Sequence, residues 1–523
     1  MSSKRSRARL WALVAMSTGL LASMAACGSA GSDAAGSDAA VSATNATQNV
    51  INWGKCPAVT PGITRNPKEK CGTVTVPLNY QQPGGKAISI EVSEIATAKP
   101  GQKRGYLLVN PGGPGLQGLD TPSTTAQELP ASVLDEYDLI GFDPRGVGYS
   151  TPMSCGLSGS DASVFSFPAA DGSISANVVS ARAAASACAK IGNELQYFNT
   201  ADTARDMDRI RQALGVPRIS YWGQSYGTYL GAVYASLFPK NTDRMILEGV
   251  VDPTEVWQQD MALWNQGMDQ RFPDAAAVAA ADSADVGLGG TVAQVTASYI
   301  RLGDELDAKP APVPGTSESI TGTDLRTVTY ELLLHNTTLT ALAGFWKAAA
   351  DLEAGKTPTA ADQIVLQQVF ASTPAQPGVP ADNQVTMTWA LFCGDGAWSR
   401  SVNSYATATA AARAEYPLAD GMPDEITPCA FWSKAPAEPA VTVTSAGPRD
   451  ILVLQNKRDN ATPYAGALGM DKALGSRAGF VSVDNGGHYV YDVGSTCADQ
   501  AANLFLTKGI ISGKPLSCPA PAS

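Results

Sequence analysis

Ile219-Ser220-Tyr221-Trp222-Gly223-Gln224-Ser225-Tyr226-Gly227-Thr228-Tyr229-Leu230-Gly231-Ala232-Val233-Tyr234 is the stretch whose reading decides the fold. A short apolar run passes through a G-x-S-x-G pentapeptide into an apolar segment suited to a helix packed under a sheet. In a chain with 50 glycines the pentapeptide alone is weak; its place between strand and helix is what strengthens it. At such an elbow the serine is held in a strained conformation with its Oγ exposed, and the flanking residues must be small for the chain to turn so tightly. The helix N-terminus behind it favours negative charge developing on oxygen. Ser225 is therefore a candidate nucleophile, against the plainer reading of a Gly-rich turn with an exposed serine.

Moving outward, continuous apolar runs at 105–109, 137–142, 219–222 and 244–247 suggest strands buried on both faces, and Thr203 to Leu214 carries apolar residues at helical spacing between them. Residues 73–98 alternate, as half-buried antiparallel strands do. From 255 to 440 the texture turns Ala-rich and helical, and strand-like runs return at 451–454 and 480–483, with Thr496 to Leu506 as a closing helix. Strand alternating with helix means a mostly parallel sheet. The expectation is an α/β domain of 51–254 and 441–523, interrupted by a helical cap or lid at 255–440.

A serine hydroxyl needs a base, near neutral pH usually histidine. The chain has two histidines. His335 lies in Tyr330-Glu331-Leu332-Leu333-Leu334-His335, read as a helix within the insertion. His488 follows a strand in Asp484-Asn485-Gly486-Gly487-His488, a loop able to present a ring to the serine, so His488 is taken as the base. A carboxylate must orient it. Asp459, after the strand starting at Ile451, gives the chain order Ser, Asp, His of the α/β-hydrolases; Asp252 and Asp484 are its rivals. Asn110-Pro111-Gly112-Gly113-Pro114-Gly115 supplies a glycine loop, in which the N–H of Gly113, or alternatively Gly112, would join that of Tyr226 around an oxyanion. Residues 113–118 also spell G-x-G-x-x-G, with Asp135, Glu136 and Asp138 at a spacing that suits a ribose contact. Pro114 removes a donor from that would-be phosphate loop, and an exported chain has poor access to nicotinamide cofactors.

Export is read from Lys4, Arg5, Arg7 and Arg9 preceding an apolar run that ends at Met24-Ala25-Ala26-Cys27. That is the order of a signal peptide, 1–26, closing on a lipobox-like sequence whose Cys27 would be acylated and anchor the chain to a membrane; residues 27–50 read as a tether. The other eight cysteines, an even set, point to disulfides. Sequential pairing closes short loops and is the expectation: Cys56 with Cys71, Cys155 with Cys188, Cys393 with Cys429, Cys497 with Cys518. With 523 residues, 44% of them hydrophobic against 16% charged, the chain is too apolar for wholesale disorder, and a net charge of −11 argues against nucleic acid as a partner.

Together, Asn110 to Gly115, Gly141-Phe142-Asp143-Pro144-Arg145-Gly146, Gly223 to Gly227, Asp459 to Pro463 and Gly487-His488 resemble the secreted tripeptidyl aminopeptidase branch of the prolyl iminopeptidase family, and mycobacterial envelope serine proteases of this type are similar. Cys393-Gly394-Asp395 and Cys429-Ala430-Phe431-Trp432 fit the same branch. The resemblance implies an α/β-hydrolase fold with a helical cap, no metal and no cofactor, peptide or protein N-termini as substrate, and structural or site-shaping roles for Asp143 and Arg145. Asn110 stands where prolyl iminopeptidases usually carry His. An aminopeptidase needs an anion for the substrate ammonium; Glu248, Asp252, Asp260 and Asp395 are the candidates. A carboxylesterase using the same residues, and a non-catalytic surface lipoprotein, are the competing readings.

Overall fold

A computed structural model describes residues 50–369 and 374–521; the signal segment, Cys27 and the tether through residue 49 lie outside the described residues. The main sheet has nine strands: β1 (Lys70–Pro77), β2 (Ala87–Ile95), β3 (Gly105–Asn110), β4 (Tyr137–Phe142), β5 (Ile219–Gln224), β6 (Thr242–Glu248), β7 (Ile451–Arg458), β8 (Ala478–Gly486) and β9 (Leu516–Cys518). Their order is β1-β2-β4-β3-β5-β6-β7-β8-β9. β1 and β2 form an antiparallel pair, β2 joins β4 antiparallel, and every later pairing is parallel.

The continuous apolar runs resolve into two faces. Leu108, Tyr221, Met245, Leu247 and Val453 point into one core with Met207, Ile210 and Leu230, whereas Leu107, Val109, Trp222, Ile246, Leu452 and Leu454 point into the other with Phe505 and Leu506. The period of two is thus kept inside runs that look unbroken, because both faces are covered by helices. The first core lies under α1 (Thr200–Ala213) and α2 (Tyr226–Leu237), the second under the C-terminal helix Thr496–Lys508.

Between β6 and β7 no described residue adds a strand to this sheet. The segment is not uniform. Helices that include α3 (Gln258–Ala281), α4 (Gly322–Leu332) and α5 (Leu339–Glu353) build their own core, in which the rings of Phe272, Tyr299 and Trp346 meet at 4.8–5.3 Å. By contrast α6 (Asn383–Asp395) sends Met387, Trp389, Leu391 and Phe392 into the main core. One correction follows for His335. The helix expected to carry it stops at Leu332, and His335 has extended backbone with its ring stacked 5.0 Å from that of Tyr489.

All four sequential disulfides form. With 15 to 36 residues between partners, each stabilises by about 3–4 kcal/mol through restriction of the unfolded chain.

Candidate active site

The site is assembled at the C-terminal ends of the parallel strands. Ser225, between β5 and α2, has φ 56° and ψ −126°, a conformation that a non-glycine residue adopts only when its surroundings impose it. Two constraints do so: its N–H donates to Glu248 O at 2.9 Å, and its carbonyl accepts from Thr228 N at 2.8 Å. The glycines either side are required sterically. A Cβ on Gly223 would lie 2.3 Å from Gly227 O, and one on Gly227 would lie 2.7 Å from Asn110 Oδ1.

Asp459 closes β7 and is fully buried; His488 follows β8 and is 4% exposed. His488 Nδ1 lies 2.9 Å from Asp459 Oδ2 and 3.1 Å from Oδ1. An ionised carboxylate only accepts, so Nδ1 carries the proton and Nε2 is left with a lone pair. Asp459 is fixed in turn. Its Oδ1 accepts from Ala461 N and Thr462 N at 2.8 and 3.0 Å, and its Oδ2 from Thr462 Oγ1 at 2.8 Å and Gln455 Nε2 at 3.3 Å. Burial pulls the imidazole pKa down, but the charge and hydrogen bond of Asp459, helped by Glu248, outweigh it and hold His488 above its ordinary 6.5. The ring and the serine share a neighbour. A Cβ on Gly249 would lie 3.1 Å from His488 Cε1, and the preceding carbonyl is the one that holds Ser225 N–H. Among the hydrogen bonds of the described residues none runs from Ser225 Oγ to Nε2; such contacts commonly tighten only when substrate is bound.

The glycine loop after β3 packs directly on the elbow. Gly112 has φ +91°, and a Cβ there would lie 2.4 Å from Gln224 O and 3.2 Å from Tyr226 N. The Gly112 N–H is already donated to Asn110 Oδ1 at 3.0 Å. That leaves Gly113, rather than the alternative Gly112, to pair with the Tyr226 N–H at the start of α2. Asp143 holds the far side of this loop, accepting from Gly118 N and Leu119 N at 3.0 Å each and from Tyr149 N at 2.8 Å. The N–H of Gly118, the last glycine of the G-x-G-x-x-G coincidence, is thereby committed to a carboxylate and is not available to a phosphate. Arg145 is also structural, its guanidinium paired with Asp206 at 2.6–2.7 Å.

The carboxylates considered for a substrate ammonium fare differently. Glu248 is not available: its oxygens accept from Trp222 Nε1, Gln224 Nε2, Val490 N and Tyr491 N at 2.7–2.9 Å, which braces the chain just beyond His488. Asp395 is likewise engaged, accepting from Thr200 N, Thr200 Oγ1 and Trp257 Nε1, and Thr200 Oγ1 continues to Tyr226 OH at 2.7 Å. Burial pushes its pKa up to about 6 despite those bonds. Asp252 has Oδ1 tied to Thr254. Asp260 accepts from Asp252 N at 3.0 Å, and burial raises it to about 7. Glu331, which sequence reasoning did not single out, is also raised to about 7 by burial. Both acids lie near the Tyr330 phenol, which also feels Asp459. Glu331 carried no signal because its helix reads as amphipathic; what ties it to the site is its neighbour Tyr330, whose carbonyl accepts from Asn460 Nδ2 at 2.9 Å.

Residues 105–495 match the family model of the alpha/beta hydrolase fold. The tripeptidyl aminopeptidase of Streptomyces lividans is 30% identical over 508 residues, covering 92% of this chain and 88% of that one. The serine protease Hip1 of Mycobacterium tuberculosis is 27% identical over 90% of this chain and 91% of its own. The carboxylesterase B of the same organism is 29% identical over 89% of each. Matched by that family model over most of its length, and by a tripeptidyl aminopeptidase over nearly all of it, the chain belongs to the α/β-hydrolase family and to the serine peptidases within it.

Proposed function

We propose that the chain is an exported exopeptidase that releases short peptides, tripeptides foremost, from free N-termini through an acyl-enzyme on Ser225. The observation that carries this reading is the buried Asp459–His488 pair, at 2.9 Å, presented beside a strained serine at a helix N-terminus. His488 Nε2 takes the Oγ proton as the hydroxyl attacks the scissile carbonyl, and Asp459 stabilises the imidazolium that forms. The N–H groups of Gly113 and Tyr226 receive the oxyanion. Collapse of the tetrahedral intermediate breaks the C–N bond, with His488 returning its proton to the leaving amine, and water then repeats the sequence on the ester. Preference for chain ends rests on the insertion, which caps the strand ends through Tyr330 O, Leu334 O and Thr388 Oγ1, and on the acids Asp260 and Glu331 that it carries, which offer an ammonium a partner where water is scarce. The name of the Streptomyces relative supports the tripeptide length. Four disulfides support an oxidising compartment, and Cys27 as a lipid anchor completes the reading.

The deciding experiment compares a tripeptidyl amide with its N-acetylated form and with nitrophenyl esters. Turnover of the free-amine peptide should exceed that of the acetylated one by at least about tenfold, the loss of one ionic contact being of that order. Activity confined to esters would favour the carboxylesterase reading, which one relative's name also supports.

The same base sets the pH response. His488 must be neutral to accept a proton, and its pKa is raised, so kcat/KM should fall as pH drops through a midpoint above 6.5. A limb at or below 6.5 would mean that burial of the ring outweighs its contact with Asp459.

A further inference from the structure

The loop bearing His488 is held from the insertion by one buried cation. Arg271, on α3, is fully buried, and its three nitrogens have separate partners: Nε donates to Leu333 O at 2.9 Å, Nη2 to Asn336 Oδ1 at 2.7 Å and Nη1 to Asp274 Oδ2 at 2.6 Å. Each partner leads onward to the base. Asn336 Nδ2 donates to Asn485 Oδ1 at 2.9 Å, and Leu334 O, next to the Leu333 carbonyl, accepts from His488 N at 2.8 Å. Asp274 Oδ2 also accepts from Arg458 Nε at 3.0 Å, and Arg458 O accepts from Gly487 N at 3.0 Å. The fit leaves no slack: a Cβ on Gly486 would lie 2.0 Å from Arg271 Nη1, and one on Gly487 would lie 2.9 Å from Leu334 O.

The physical reason begins at the end of α4. A helix leaves its last carbonyls without intrahelical partners, and cations are favoured there. The carbonyls of Leu333 and Leu334, just past that end, are satisfied by the guanidinium of Arg271 and the backbone N–H of His488. The turn at 333–336 therefore cannot move away without leaving a buried charge, a buried carbonyl and the base's own N–H unpaired.

We propose that Arg271 is a positioning residue that fixes His488 through the 333–336 turn, making this part of the insertion a permanent wall of the site and not a gate. Substrate must then enter past another part of the insertion. The proposal rests on the reading of His488 as the base of Ser225.

The test measures kcat, KM and the rate of Ser225 acylation by a fluorophosphonate for the wild type, Arg271→Met, Asn336→Ala, Asn485→Ala and the Asn336→Ala/Asn485→Ala double variant. A base displaced by about 1 Å costs roughly 100-fold, so Arg271→Met should lose about that much in kcat and acylation rate, with KM within about threefold. Asn336 is solvent-exposed, so its variant removes little packing, although it also takes the Nη2 partner from Arg271; it should lose about fivefold, and the double variant no more than Asn336→Ala, since the Asn336–Asn485 bond is already gone in that single variant. Folded Arg271→Met or Asn336→Ala acylating at the wild-type rate, or changed in KM alone, would overturn the proposal. Should Arg271→Met fail to fold, the asparagine set decides by the same criterion. A wild type that never labels would instead remove the serine-hydrolase chemistry, and this proposal with it.

Discussion

Ser225→Ala and His488→Ala are each expected to lower kcat by about six orders of magnitude, and the double variant to fall little further. The non-additivity is the informative part. The hydroxyl without the imidazole cannot lose its proton, and the imidazole without the hydroxyl has nothing to activate, so removing either member removes the whole covalent route. The residue of activity should come from the N–H groups of Gly113 and Tyr226, which do not depend on either side chain. KM should change little, because neither group is asked to hold the ground state. His335→Ala is the control: its ring stacks on Tyr489, whose ring lies 5.1 Å from that of His488, so these ring contacts reach the base through an intermediary. It should retain more than about a tenth of wild-type turnover. Steady-state rates on a tripeptidyl amide, with thermal unfolding to show that each variant is folded, check all four. If His335→Ala and His488→Ala exchanged behaviours, the assignment of the base would be wrong.

How much of this was legible in the sequence depends on the range over which the physics acts. The elbow was legible because its demands are local: small residues within two positions of a strained serine, a strand before and a helix after. The Asp459–His488 pair was legible because each follows an apolar run readable as a strand, and parallel strands place their following loops on one edge. The pairing of cysteines was legible as the set of shortest loops. What failed was local pattern extended past its range. Tyr330 to His335 looks helical, but the carbonyls of Leu333 and Leu334 are claimed by Arg271 and His488, more than 60 and 150 positions away, and the helix ends at Leu332. Residues 383–395 read as more insertion, yet their apolar face belongs to the main core. Glu248 reads as a candidate partner for a substrate ammonium; four N–H donors drawn from two separate stretches of chain make it an internal brace. Such long-range partners leave no periodicity or spacing to read.

Asp459→Asn is the sharpest test of the orientation argument, and is expected to cost about four orders of magnitude in kcat while leaving the fold intact. The direction follows from hydrogen-bond polarity. Ala461 N and Thr462 N both donate to Oδ1, so an asparagine there must place its carbonyl oxygen at that position and its amide nitrogen at the position of Oδ2. The nitrogen then faces His488 Nδ1, at 2.9 Å in the native site, and can only donate to it. Nδ1 must accept, the ring proton moves to Nε2, and the face turned toward Ser225 no longer has a lone pair with which to take a proton. A second signature separates this from mere loss of packing. Removing the carboxylate charge takes away the principal influence raising the His488 pKa and leaves burial, which lowers it, so the acidic limb of the residual activity should move to lower pH than in the wild type. An unchanged limb with near-native turnover would mean that another carboxylate orients the ring. Asp484, the nearest rival in sequence, is poorly placed for that, being more than half exposed and paired with Arg458 at 2.9 Å. Asp252 has its Oδ1 bound to Thr254 and its Oδ2 against the helix Tyr464–Leu474, where a Cβ on Gly469 would lie 2.0 Å away. Either would have to break those contacts before reaching the imidazole, which is why the whole effect is expected to fall on Asp459.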